Sequence, residues 1–398
     1  MSLSSRSSRH SQAPGSAPST RAERLVGGLR LFNESDRTDV TPPPQSGVTP
    51  ETPTFRAVAA AINLGLSMLE TPLGTARLID IGRAVLRGHR QFDNIYEDRP
   101  ENMGWWVGLF LARLRSSFPT VVMTNHIGGE GQVQRANWAR DGSRMRQWDP
   151  SLAGVLRLNK IIIENMVHAG NNATQTRSQP EMEAFETFMF LMGVTVAHEM
   201  LHLFIGFLVG YITPSTPPTI TFLPELYNSV LADGSEVGES GRAWEGLVFG
   251  GTVDAFESRS SPLGTRQSGI LYVIDGNQRA RLLHHGCVRR SLDFSKLFLS
   301  CALVHVHADL LKDFDFPLQV TGPTMRLTQL DAQRRTMKQV RSSVLPPALR
   351  PSQNRASATV GLGEIQRYRQ RHAYTYQGRP FENLRTIPLR PASLFASA

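Results

Sequence analysis

Cysteine is scarce in this chain: Cys287 and Cys301 are the only two among its 398 residues. Two cysteines cannot form the disulfide framework that holds small secreted domains together, and their scarcity is typical of a reducing compartment. The first twenty residues also lack the apolar run of a secretory signal peptide. We therefore expect an intracellular, cytoplasmic protein. A mitochondrial location is the alternative, because these residues are rich in Ser and Arg and contain no acid.

Charged residues are also few, at 19% of the chain, although the net charge is +9. The basic excess lies mainly towards the two ends, and no module of interleaved basic and aromatic residues accompanies it. A nucleic-acid partner is therefore not expected. Long apolar runs are limited to residues 188–212, and a His-Glu pair interrupts this stretch. Such a stretch predicts a buried core helix, so no membrane span is expected.

The remaining patterns predict an α+β fold that is mainly helical and has a small mixed β-sheet. Residues 1–53 are rich in Ser, Arg and Pro, which predicts a disordered tail. Apolar residues at helical spacing over residues 54–118 predict a helical subdomain. Residues 119–322 are expected to form the main domain, which carries the strands. Residues 323–398 are basic and poor in apolar residues, which predicts a largely irregular tail.

Three segments of the main domain have the pattern of β-strands. Residues 120–124 form a short β-branched run, and residues 155–163 alternate before ending in three isoleucines. Residues 270–283 predict a hairpin around an Asp-Gly turn. The strand at 155–163 has two interpretations. It is either an ordinary core strand or an exposed edge that pairs with an extended substrate.

One motif carries chemistry: His198-Glu199-Met200-Leu201-His202 has the form His-Glu-x-x-His. On a helix, His198 and His202 lie one turn apart on one face, where both imidazoles can reach one metal ion. Glu199 stands beside the first ligand and can act on a water. A zinc hydrolase needs two nitrogen donors, an open coordination position and a carboxylate base. The alternative is a pair of core histidines with Glu199 paired to an arginine.

A catalytic zinc usually has a third protein ligand. The Gly-flanked segment 238–251 offers two carboxylates, Glu239 and Glu245. Glu239 is favoured, because glycines on both sides let its backbone approach the helix that carries His198 and His202. Glu245 would then pair with Arg242 or support a ligand. Asp254 is the further candidate.

With these residues, the stretch from about 155 to 255 resembles the gluzincins, the metallopeptidase clan in which a glutamate on a second helix completes the zinc site. Gly238-Glu239 is similar to the Gly-Glu motif of its neprilysin-like members. Glu245-Gly246 is similar to part of the Asn-Glu-Gly motif of its aminopeptidases. The metzincin extension is absent, since Ile205 and Leu208 stand where that family has Gly and His.

The resemblance implies a zincin-like fold, with the sheet beside the His-Glu-x-x-His helix, and a zinc-dependent metallopeptidase that cleaves a peptide or protein substrate. One Zn²⁺ would be held by His198, His202 and either Glu239 or Glu245, with Glu199 as general base. The alternative from another class is a non-catalytic zinc-binding structural or interaction protein that retains the site. A closed site with four protein ligands would indicate that alternative.

Overall fold

The computed structural model of the protein describes residues 26–36, 45–88, 100–139, 144–210, 216–231, 233–300, 318 and 320–345. The helices of these parts are α1 (Pro53–Glu70), α2 (Pro72–Gly88), α3 (Met103–Ser116), α4 (Pro150–Ala153), α5 (Lys160–Thr176), α6 (Gln179–Val209), α7 (Pro224–Tyr227), α8 (Ser240–Phe249), α9 (His285–Ser300), α10 (Leu327–Gln333) and α11 (Met337–Val344). The strands are β1 (Leu31–Glu34), β2 (Gln45–Gly47), β3 (Thr120–Thr124), β4 (Gly131–Arg135), β5 (Gly154–Asn159), β6 (Ser229–Val230), β7 (Glu236–Val237), β8 (Thr252–Phe256), β9 (Ile270–Ile274), β10 (Arg279–Leu283) and β11 (Val320–Arg326).

The strands form two main sheets. The first has the order β2-β1-β3-β5-β4, with β1, β3 and β5 parallel and the two outer strands antiparallel. The second has the order β11-β10-β9-β8 and is antiparallel throughout. Strands β6 and β7 pair with each other. The fold is therefore mixed α and β with a small mixed sheet, as predicted.

Helix α6 is the centre of the fold because its sequence is apolar on nearly every side. Pro180 in its first turn and Gly210 just after its end, at φ 77°, mark its limits. It packs against α1, α5, α8, α9 and β4. The crossing with α1 is close, since a Cβ on Gly193 would lie 2.6 Å from a methyl carbon of Leu64. The helix predicted around the His-Glu-x-x-His motif is confirmed.

By length and composition alone, α6 could cross a membrane, and the bent pair α1 and α2 passes the same test when taken as one span. However, 89% of the most apolar window of α6 is buried by the rest of the protein. This burial is what a core helix of a folded domain requires.

The folded part begins earlier than predicted, because β1 and β2 lie within residues 1–53. Leu31 and Phe32 of β1 are each only 3% exposed, and Phe32 pairs in parallel with Val122 of β3. The expected tail of residues 1–53 is therefore corrected. Helices α1, α2 and α3, predicted as a helical subdomain over residues 54–118, share one hydrophobic core with α6.

The strand predicted over residues 155–163 ends at Asn159, which corrects its last four residues to helix. The side chain of Asn159 accepts a hydrogen bond from the backbone N of Ile162 at 3.3 Å and so caps the start of α5. Because β5 lies between β3 and β4, it is a core strand. The sheet edge beside α6 is β4 instead.

The predicted C-terminal tail, residues 323–398, also needs correction, because most of β11 and all of α10 and α11 fall within it. Met337 and Val340 of α11 are fully buried, and Thr336 caps that helix. Residues 346–398 lie outside the described residues. The hairpin predicted over residues 270–283 is confirmed as β9 and β10.

Candidate metal centre

Helix α6 carries His198 and His202 on one face, as their spacing predicted. The ring centroids are 5.2 Å apart. Their side chains are 16% and 24% exposed, whereas the helix around them is almost entirely buried. Both imidazoles therefore lie at the boundary of the core, where a solute can reach them.

Glu239 joins the two histidines from the N-terminus of α8. Its Oε2 accepts a hydrogen bond from the backbone N of Arg242 at 2.7 Å and caps the helix. Its Oε1 lies 3.4 Å from Nε2 of His198 and contacts Nε2 of His202. One donor atom from each of the three side chains lies within 4.8 Å of the others, so this group can hold a metal ion.

Gly241 lets α8 approach this closely. A Cβ at this position would collide with the imidazole ring of His198. Gly238, on the other side of Glu239, has backbone oxygens of Pro217 and Ile220 where a Cβ would stand. Gly241 therefore allows the close approach to α6 that was expected of the glycines around Glu239, whereas Gly238 packs against Pro217 and Ile220 instead.

Gly241→Ala should weaken metal binding by this group, with Zn²⁺ as the probe, about tenfold or more, because the added methyl must displace the His198 ring. Disturbed ligand orientation typically costs 10–100-fold in metal affinity. Zinc affinity measured by chelator competition tests this. Gly108→Ala is the matched control, since a Cβ on that helical glycine meets nothing within 4 Å. It should leave zinc affinity unchanged. Equal zinc affinities for the two variants would contradict the proposed packing.

The Nδ1 atoms of both histidines have partners of their own. Nδ1 of His198 lies 2.6 Å from Oε1 of Glu245, and Nδ1 of His202 lies 3.4 Å from Oγ of the buried Ser240. A proton on each Nδ1 can be donated to these oxygens, which leaves each Nε2, on the side of Glu239, as the atom that can bind a metal ion. Such partners fix the tautomer and the ring orientation of metal-binding histidines.

Glu245 is held in turn by a buried ion-pair chain. Its Oε2 accepts from Nη1 of Arg242 at 3.0 Å and from the backbone N of Val253 at 2.9 Å. Nη2 of Arg242 donates to Oδ1 of Asp254 at 3.1 Å, and the guanidinium lies over the ring of Tyr227. Glu245 and Asp254, the other candidate ligands, therefore lie behind the histidines rather than in the group of three.

The charges around the histidines favour a cation. Burial alone would lower the pKa of His198, but the carboxylates of Glu239 and Glu245 outweigh burial and raise that pKa well above its ordinary value. Burial would raise the pKa of Glu239, but His198 and His202 hold it well below its usual range. A divalent ion among these side chains would supply positive charge in place of the histidine proton, which is released on binding.

Glu199 faces the sheet edge. The carboxylate is buried and its Oε2 accepts a hydrogen bond from the backbone N of Val133 in β4 at 2.6 Å. This N–H therefore points away from β5 and towards α6. Gly131 permits the contact, because a Cβ there would meet Cγ2 of Thr195 at 2.6 Å and Cγ of Glu199 at 3.3 Å.

The structure thus brings His198, His202 and Glu239 together and places Glu199 beside them on the same helix. Sequence reasoning anticipated the contact between Glu245 and Arg242. It missed the contact of Glu199 with β4 and the role of Ser240 as a histidine partner. The contact of Glu199 with β4 is marked in the sequence by Gly131 alone, whereas Ser240 is directly next to a candidate ligand.

Comparisons of this chain with protein-family models, curated proteins and solved structures find no match.

Proposed function

We propose that this protein is a zinc-dependent metallopeptidase of the gluzincin type. The observation that carries the proposal is the group of three donors: His198 and His202 on α6, the helix that also presents Glu199, and Glu239 at the N-terminus of α8. Two imidazole nitrogens and one carboxylate oxygen are a donor set of catalytic zinc sites. Glu245 and Ser240 add the orienting partners that such histidines have.

Zinc in this group would supply Lewis acidity, which lowers the pKa of water and polarises a substrate carbonyl. Glu199 would take the proton of the attacking water and pass it to the amine that leaves. The hydrogen bond from Val133 holds one carboxylate oxygen of Glu199 and leaves the other available for this transfer.

Strand β4 supports an extended peptide as the substrate class. It pairs with β5 along one edge, and its other edge lies beside α6. Hydrogen-bonding groups of an antiparallel strand alternate in direction, so the outward N–H of Val133 implies outward groups at Gly131 and Arg135. The N–H of Val133 is taken by Glu199, so a peptide added along this edge would gain its backbone hydrogen bonds at Gly131 and Arg135, whatever its side chains.

The alternative is a non-catalytic zinc-binding protein. A structural zinc is normally closed by four protein ligands, whereas the group found among the described residues has three, the number at which a catalytic zinc keeps a position for water or substrate. The three-donor arrangement favours catalysis.

Removal of the metal provides the test. The zinc-loaded protein should cleave members of a fluorogenic peptide library, lose this activity with 1,10-phenanthroline and regain it with one equivalent of Zn²⁺. His198→Ala should neither bind zinc stoichiometrically nor cleave. A fully zinc-loaded protein that cleaves no peptide in a broad library would overturn the proposal and favour the non-catalytic alternative.

A further inference from the structure

Helix α11 lies outside the metal group, but its basic residues reach the charges that surround the group. Nζ of Lys338 lies 3.2 Å from Oε2 of Glu130 and 3.6 Å from Oδ1 of Asp254. Nη1 of Arg341 lies 3.7 Å from Oε1 of Glu130, and Nη2 donates to the backbone O of Ser268 at 3.2 Å. Arg341 is only 3% exposed.

One branch of this network ends at a metal ligand. Asp254, which Lys338 approaches, accepts from Arg242 at 3.1 Å, and Arg242 donates to Glu245 at 3.0 Å. Glu245 contacts Nδ1 of His198 at 2.6 Å. Lys338 and Arg242 therefore meet the same carboxylate oxygen, Oδ1 of Asp254. Arg242 in turn holds Glu245, the orienting partner of His198.

The other branch ends at the general base. Glu130 immediately precedes β4, and its backbone O accepts from the N of Asn159 at 2.9 Å. The next residue, Gly131, packs against Glu199, and Val133 donates to the Glu199 carboxylate. The ion pairs of the Glu130 side chain therefore fix the start of β4, the strand whose backbone binds Glu199.

The network is balanced in charge, with three cations on Arg242, Lys338 and Arg341 and three carboxylates on Glu130, Glu245 and Asp254. Burial would raise the pKa of Glu130, but Lys338 and Arg341 hold it below its ordinary value. Glu130 is therefore an anion that depends on these two cations. Removing one cation leaves a buried carboxylate under-compensated, which is costly in a protein interior.

We propose that Lys338 is a positioning residue for the metal site. It binds the carboxylates of Glu130 and Asp254 at once, and so ties the strand that holds Glu199 to the ion-pair chain that orients His198. This inference rests on the metal site proposed above. Lys338 contacts neither the metal group nor Glu199, so its effect is transmitted through the two carboxylates.

Lys338→Met removes the charge but keeps an unbranched side chain of similar length. It should weaken Zn²⁺ binding about three- to tenfold, below the 10–100-fold typical of a direct ligand partner. It should also change the visible absorption spectrum of the Co²⁺-loaded protein, which reports ligand geometry. Lys338→Arg should restore both within about twofold, because the charge is retained. Should Lys338→Met not fold, Lys338→Gln replaces it.

Arg335→Met is the matched control. It removes a cation three residues before Lys338 whose exposed pair with Glu257 lies outside the network. It should change neither zinc affinity nor the Co²⁺ spectrum. A double-mutant cycle with Asp254→Asn adds a second test. If Lys338 acts through Asp254, Lys338→Met should weaken zinc binding less in the Asp254→Asn background than in the wild type.

The outcomes separate this inference from the proposed function. A wild type that binds neither Zn²⁺ nor Co²⁺ would overturn both. A wild type that binds zinc while Lys338→Met has the same affinity and Co²⁺ spectrum would overturn only the role of Lys338. Equal effects of Lys338→Met and Arg335→Met would do the same, since charge loss anywhere on this surface would then suffice.

Discussion

Glu199→Gln should lose peptidase activity by about 10²–10⁴-fold, the usual contribution of a general base, while keeping one zinc per chain. The amide oxygen can still accept the hydrogen bond from Val133, so the contact between α6 and β4 is preserved. What the variant lacks is a group that can take a proton. Peptide-cleavage rates and zinc content measured on the same preparation test this.

Glu186→Gln is the matched control for this variant. It makes the same chemical change on the same helix, where Glu186 forms an ion pair with His285 and Arg289. Activity and zinc content should both stay at wild-type values. Cleavage by Glu199→Gln at the wild-type rate would exclude Glu199 as the base, and loss of its zinc would show that this residue contributes to metal binding.

Glu239→Gln should weaken zinc binding more than about 100-fold, whereas Glu245→Gln should weaken it only about 10–100-fold. The first variant loses an anionic ligand, although its amide oxygen can still cap α8 by accepting from Arg242. The second variant loses only the carboxylate that orients His198 from the Nδ1 side. Competition with a chelator of known affinity measures both.

The order of these two effects decides which glutamate is the ligand. A larger loss in Glu245→Gln than in Glu239→Gln would reverse the assignment. Circular dichroism of the metal-free variants controls for folding, because Glu245 is almost completely buried and pairs with Arg242. Glu245→Gln is therefore expected to lower the melting temperature more than Glu239→Gln.

Elements with a strong local pattern were predictable from the sequence. Helix α6, which carries the motif, is apolar on nearly all sides and is bounded by Pro180 and Gly210. Its type and its limits therefore follow from the local sequence. The hairpin of β9 and β10 has its own turn signal at Asp275 and Gly276. In both cases the information lies within a short window of the chain.

Elements that depend on distant partners were not predictable in this way. The four residues of β1 contain a single apolar pair, Leu31 and Phe32, and become a strand by pairing with β3 much later in the chain. Residues 160–163 include three isoleucines, which favour a strand. The side chain of Asn159 nevertheless caps a helix, and the chain is helical from Lys160 onwards. Tertiary context here outweighs β-propensity.

The residues of the site show the same difference between local motifs and distant partners. The candidates His198, His202, Glu239 and Glu199 stand in motifs, and the first three meet in one group. Lys338, in contrast, cannot be told apart from the other basic residues of its segment, because its acidic partners Glu130 and Asp254 lie far away in the sequence. The capping box formed by Thr336 and Gln339 is a local sign that this segment folds.

The network around Lys338 has a consequence for biosynthesis. The ribosome completes α6 long before it reaches residue 338, so the nascent chain carries an apolar helix and an incomplete metal site while more than a hundred further residues are added. Domains tend to fold from the N-terminal side as they emerge. Here the last described helix is needed to balance the charges around the motif, so the metal site would mature late. Before α8 and α9 are made, the faces of α6 that they cover in the folded protein are without their partners.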